Sequence, residues 1–104
     1  MLDENLEITE AVEGEICKLN AKGRIDANSA AVLEFKLDEA LKEGQHNIVL
    51  NMSMVEYLSS IGIRIILKTY KHLTETFGSF KIESPSEIVK NVLGMAALKE
   101  MLVS

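Results

Sequence analysis

The sequence is poor in the residue types from which disulfides, metal centres and nucleophilic active sites are built. Its one cysteine, Cys17, has no second thiol to pair with, and its two histidines, His46 and His72, stand far from it and from each other. No metal-ligand spacing results, so neither a metal nor any other cofactor is expected. Cys17 reads as an inward-facing strand residue, not a reactive thiol. Long apolar runs are missing as well. None approaches the roughly 18–20 residues of a bilayer span, and the opening MLDENLEITE lacks the basic start and apolar middle of a secretory leader. The expectation is a cytoplasmic protein without membrane insertion. Nor is there a basic stripe: net charge is −5, and six acids with no base fall between Asp3 and Glu15. A phosphate backbone would be repelled, so no direct nucleic-acid partner is expected, and the acidic start reads as a solvated edge. The six glycines are scattered singly, with no G-x-x-x-x-G-K or G-x-G-x-x-G string to cradle a nucleotide.

What is present is the composition of a soluble globular protein, 47% hydrophobic and 26% charged over 104 residues, which predicts one domain spanning 1–104. Strand-like patterns run from Leu6 to Thr9 and from Glu15 to Ala21, joined at Glu13-Gly14 by a hairpin turn. Ala30, Leu33, Leu37, Ala40 and Leu41 recur at helical spacing, with Asp26 or Asn28 as the start cap and Gly44 as the left-handed stop. HNIVLNM reads as a buried central strand ending at Asn51. The run after it alternates at Ile61, Ile63 and Ile65, but Ile63, Ile66 or Leu67, Tyr70, Leu73 and Phe77 hold a helical period for four turns, closed by Gly78. SFKIES is a further strand. SPSE then predicts a helix capped by Ser84, with Pro85 in its first position and Glu87 reaching back. Val89, Val92 and Leu93 give that helix an apolar side, Gly94 interrupts it, and Met95 to Leu102 form a last short helix.

Between the central strand and the central helix stand two adjacent serines, Ser59 and Ser60. A hydrolase nucleophile would need G-x-S-x-G and a base, whereas Ser60 has Leu58 and Gly62 at the flanking positions and the histidines read as surface residues at element ends. No enzyme is expected. Either serine can cap the helix, a role worth about 1 kcal/mol, but capping accounts for only one of them.

The string IVLNMSMVEYLSSIGIRIILKTYK resembles the signature of STAS domains, specifically of the small anti-sigma factor antagonists of bacteria. There a central strand leads to a serine at a helix start, with glycine two positions on and an apolar run ending in Tyr-Lys. GRIDANSAAVLEFKLDEAL is similar to the family's Gly-x-Leu-Asp segment with its helix, and SPSEIVKNVLGMAAL to its Ser-Pro-x-Val-x-x-Val-Leu ending. These segments cover most of residues 15–98. The resemblance implies an α/β protein of the SpoIIaa-like STAS fold, a mixed sheet of about four strands with helices packed on it.

It also implies a partner switch. The unphosphorylated domain binds an anti-sigma factor that is itself a protein serine kinase, freeing a sigma factor; phosphorylation ends the binding, and a serine phosphatase restores it. The regulated serine stands two before the glycine, which assigns phosphorylation to Ser60 with Gly62 as that glycine. Ser59, where many members carry aspartate, then serves mainly as the cap. Asp26, from its match to Gly-x-Leu-Asp, is expected beside Ser60 on a docking face shared with Ser59 and Gly62, the glycine permitting close approach of the kinase or of neighbouring backbone. Members of the family usually continue beyond the point where MLVS stops, so the last element is expected to be shortened or supplied by a partner. The alternative on the same fold is a STAS regulatory subunit of a transporter or a stress-sensing complex.

Overall fold

The structure, a computed structural model, describes residues 5–95 and 102–103. Its elements in chain order are β1 (Leu6–Glu13), β2 (Ile16–Ile25), α1 (Ala30–Lys42), β3 (Asn47–Leu58), α2 (Ser60–Glu75), β4 (Ser79–Glu83), α3 (Glu87–Met95) and β5 (Leu102–Val103). The strands lie side by side in sequence order. β1 pairs antiparallel with β2, and every later pairing is parallel. This is the α/β mixed sheet expected, with four long strands and a two-residue fifth. Because each parallel step moves one place in the same direction, crossovers of the usual right hand put α1 and α2 on one face of the sheet, and Val89 of α3 packs into the same core.

Burial follows from that one-sided cover. Cys17, Leu19, Ile48, Leu50, Phe80 and Ile82 alternate inward beneath the helices and are almost wholly buried. Cys17 is thus the inward strand residue that its pattern predicts. Burial pushes its thiol pKa up, and the nearby carboxylates of Glu10 and Glu43 push it further. The opposite face carries Lys18, Asn20, Asn51, Lys81 and Glu83, none of them buried. Lys18 pairs with Glu83 at 2.5 Å, and the Ser79 hydroxyl donates to Asn47 at 2.9 Å. The central strand is therefore buried on one side only, not on both as its apolar run suggests, since Val49 is half-exposed on the polar face.

β3 is also longer than predicted, continuing past Asn51 to Leu58. Its register against β2 slips between Asn20 and Lys22 and again between Gly23 and Arg24, so that β3 carries an extra residue at each place. These bulges turn the alternation of buried residues into a spacing of three, Met52, Val55 and Leu58. A search for period two loses such a strand after Met52.

α1 buries Ala30, Leu33, Leu37 and Ala40 as its spacing predicts. It ends in a Schellman turn, with Gly44 at φ +85° and the Gln45 and Gly44 amides donating to the Ala40 and Leu41 carbonyls at 3.1 Å each. α2 differs from its sequence reading at the C-terminal end. The same kind of turn closes it, but the left-handed residue is Phe77 (φ +63°), with Gly78 one place later where the His46 carbonyl oxygen would lie 2.2 Å from any added Cβ. Phe77 is 98% exposed and has no packing among the described residues. The buried face of α2 runs through Gly62, Ile65, Ile66, Thr69 and Leu73. Thr69 fits there because its hydroxyl donates to the Ile65 carbonyl at 3.1 Å.

The start of α3 needs a correction. Ser84 is not its cap but a turn residue at φ +50°, and the helix begins at Glu87. Ser86 does the capping: its Oγ accepts from the Val89 amide at 3.3 Å and donates to the Val55 carbonyl at 2.8 Å, tying α3 to β3. Gly94 lies within α3 and does not interrupt it. Val89 is buried, while the side chains of Val92 and Leu93 lie outside the described ones. The last helix expected from Met95 to Leu102 falls mostly outside the described residues, and Leu102 belongs to a strand.

Two substitutions test these ends by urea unfolding. Ser86→Ala should cost about 1–2 kcal/mol, since it removes a cap and a tie to β3 together, with Ser84→Ala closer to neutral. Phe77→Gly should stabilise by about 0.5–1 kcal/mol, because a left-handed position is freed and no packing is lost.

Candidate functional site

The C-terminal ends of β2 and β3 meet at a rim. Ile25 pairs with Leu58, and one residue further on the Ser59 amide donates to the Ile25 carbonyl at 2.8 Å, so the pairing continues into the turn on both sides. Past that point the chains diverge, β2 into the Asp26 turn and β3 into α2. Asp26 and Ser59 are thereby brought to the same edge.

Each turn is closed by its own side chain. Asp26 Oδ1 accepts from the Asn28 and Ser29 amides at 3.0 and 2.9 Å, doing the work of a cap just ahead of α1. Neither Asp26 nor Asn28 caps α1 itself: the cap position is Ser29, which makes no side-chain cap bond, and the amides that Asp26 holds precede the helix. Ser29, fully buried, was not singled out by the sequence: its hydroxyl accepts from the Asp26 amide at 2.9 Å and donates to the Arg24 carbonyl at 2.5 Å. These bonds set the Asp26 ionisation. The Ser29 amide above all, aided by the Ser29 hydroxyl, the Asn28 amide and the Arg24 charge, outweighs desolvation and holds the carboxyl below its usual range.

The two serines are distinguished by the helix they begin. Ser59, half-exposed and extended (ψ 169°), turns its Oγ back to accept from the Gly62 amide at 3.3 Å. Ser60 is the first residue of α2, is exposed, and makes no side-chain hydrogen bond among the described residues. Gly62 is buried. A Cβ there would lie 2.7 Å from both Ile25 Cγ2 and Leu58 Cδ1, so the missing side chain lets the first turn of α2 rest on the paired strand ends. The close approach at Gly62 comes from the protein's own side chains, and the residue has no surface of its own to offer.

Apolar side chains are exposed on both sides of the serines: Tyr57 and Ile61 are 40 and 39% exposed, and Arg24 stacks over the Tyr57 ring at 4.6 Å. Met54, 56% exposed, lies further back on β3 beside Lys22, Asn51 and Ser53. Met54 and Tyr57 escaped notice in the sequence because the bulges put them outside any alternation. Among the described residues no catalytic arrangement accompanies the serines: His72 lies about 18 Å further along α2, and no group of His, Cys, Asp and Glu is placed to hold a metal. No described helix is long and apolar enough to cross a membrane. What the rim offers is an exposed hydroxyl set in a partly apolar protein surface.

Comparison with known proteins agrees with this architecture. The family model of the STAS domain matches residues 7–103. The anti-sigma-B factor antagonist of Bacillus subtilis (strain 168) is 29% identical over 85 residues, which are 82% of this chain and 77% of that protein. Among solved structures, the anti-sigma factor antagonist SpoIIAA in its unphosphorylated form superposes with a TM-score of 0.82 at 17% identity, covering 93% of this chain and 86% of that one. The Bacillus cell fate determinant SpoIIAA in the phosphorylated form gives 0.76 at 17% identity, over 93% and 89%.

Two measurements check the geometry. Gly62→Ala should destabilise by about 1 kcal/mol net in urea, the crowding against Ile25 and Leu58 exceeding the gain in helix propensity. For Asp26, a depressed carboxyl pKa means that its stabilisation is present at neutral pH and is lost as pH falls through the folded value. The urea midpoint of the parent should therefore exceed that of Asp26→Asn at pH 7, with the gap closing towards pH 3.

Proposed function

The chain belongs to the STAS domain family, and from that membership we propose that it is an anti-sigma factor antagonist switched at Ser60. Unphosphorylated, it binds an anti-sigma factor across the rim that holds Asp26, Ser59 and Ser60, and a sigma factor is released. That anti-sigma factor is a protein serine kinase, phosphorylation of Ser60 ends the binding, and a serine phosphatase reverses it. The domain is a regulatory binding protein and not an enzyme. Its site of action is the cytoplasm, where sigma factors meet the polymerase.

The observation that carries the reading is the contrast between adjacent hydroxyls, one committed to the Gly62 amide and one exposed and unbonded among the described residues. A kinase can reach the second without opening the helix cap. The names of similar proteins support the same reading, since relatives at 29, 24 and 27% identity are called anti-sigma-B, anti-sigma-B and anti-sigma-F factor antagonists.

The physics of the switch is local. Phosphate adds nearly two negative charges, and at a helix start it meets free amides and the positive end of the dipole, so the fold tolerates it. Inside an interface the same charge is costly. Each 1.4 kcal/mol lost is about tenfold in affinity, and a like-charge or unpaired contact costs several. Close to the apolar side chains of Tyr57 and Ile61, such a charge would be desolvated on docking.

A pull-down from the native cytosol with the tagged full chain tests this. The parent should capture an anti-sigma factor with kinase activity and release it on addition of ATP; Ser60→Ala should capture it and hold it, and Ser60→Asp should bind at least tenfold more weakly while keeping its fold. Equal capture by parent and Ser60→Asp, or release of Ser60→Ala by ATP, contradicts the proposal.

A further inference from the structure

The charges along α2 run against its dipole. A helix is stabilised by acids in its first turn and bases in its last. α2 has no acid in its first turn, and its charged residues come in the order Arg64, Lys68, Lys71 and, at the last position, Glu75. In a chain of net charge −5 such a run of cations is a local departure. Lys68 is answered by Glu34 of α1 at 2.6 Å, but Arg64 is exposed and forms no ion pair among the described residues. The unmodified helix therefore begins with the positive end of its dipole and an unanswered cation close together, an arrangement that lacks an anion.

Ser60 is where the anion would be added. Residues four apart on a helix are neighbours, about 5–6 Å between Cβ atoms, and side chains lean towards the helix N-terminus. Arg64 stands one turn after Ser60 on the same stripe of α2, within reach of a group added to the Ser60 hydroxyl. We propose that Arg64 receives the phosphate on Ser60, holding it in one position on the rim by a charge-assisted pair and correcting the charge order of α2. The inference rests on Ser60 being the modified residue. In the transfer, the Ser60 Oγ bonds to the γ-phosphorus of ATP, the bond from that phosphorus to the bridging oxygen breaks, ADP leaves, and the hydroxyl proton is released. Arg64 takes no part in bond making; its guanidinium forks onto the product oxygens.

The test uses the full chain with phosphoserine installed at position 60 during synthesis, so that it answers for Arg64 whether or not a cellular kinase acts there. Phosphorus NMR against pH reads the second ionisation of the phosphate, ordinarily near pH 6, which a neighbouring cation lowers. Arg64→Gln should raise that pKa by about half a unit, Arg64→Lys should recover part of the difference, and Lys68→Gln should leave it unchanged. Arg24, Asp26 and Glu56, charged residues at the ends of β2 and β3, are common to all the variants and cancel. An Arg64→Gln protein that titrates like its parent, or a Lys68→Gln protein that shifts as far, overturns the assignment.

Discussion

The hydrogen bond from the Ser59 amide to the Ile25 carbonyl, 2.8 Å long, is the constraint on which the site depends. It carries parallel pairing one step past the last paired residues, Ile25 and Leu58, and fixes where two chains part. From that point the Asp26 turn and the first turn of α2 have no freedom to drift apart. Gly62 completes the joint by letting α2 rest on Ile25 and Leu58. Taken singly each of these contacts is worth about 1 kcal/mol. Their joint effect is positional: one serine is spent on holding the turn, and the next one is left exposed.

The parts of the fold that were legible in the sequence are those with an undisturbed period. The Cys17 and Leu19 alternation, the helical spacing of α1 and the stop at Gly44 all appear where the residues put them, because in each the local preference and the tertiary packing agree. The misses share a cause. The bulges in β3 replace a period of two by a spacing of three, so residues 53–58 showed no strand signal. At the end of α2 the His46 carbonyl occupies the space beside Gly78, so the left-handed position moved to Phe77 against its preference. In SPSE either serine fits a cap, and only the bond from Ser86 to Val55 of β3 decides between them. Long-range contacts settled each case.

The site was legible to the same degree. Ser59, Ser60 and Asp26 fall on one rim, which a motif read along the chain anticipated. The surface around them was not anticipated. Arg24 over Tyr57 joins residues distant in sequence, and Ile61 comes from a third element. Their exposure is a property of the folded end of the sheet, invisible in any single segment. The acidic residues of β1 take a different place, along the edge strand, where charge discourages pairing with another chain. One edge of the sheet thus carries charge, while the end with the serines exposes Tyr57 and Ile61.

The claim at the centre is that of two adjacent hydroxyls only the one released from helix capping is chemically available. Peptide mass mapping of the full chain after incubation with native cytosol and ATP tests it directly. Phosphate on Ser60 alone is the expected result. Phosphate on Ser59, whose oxygen is engaged by the Gly62 amide, or dissociation of the partner with neither serine modified, would contradict it.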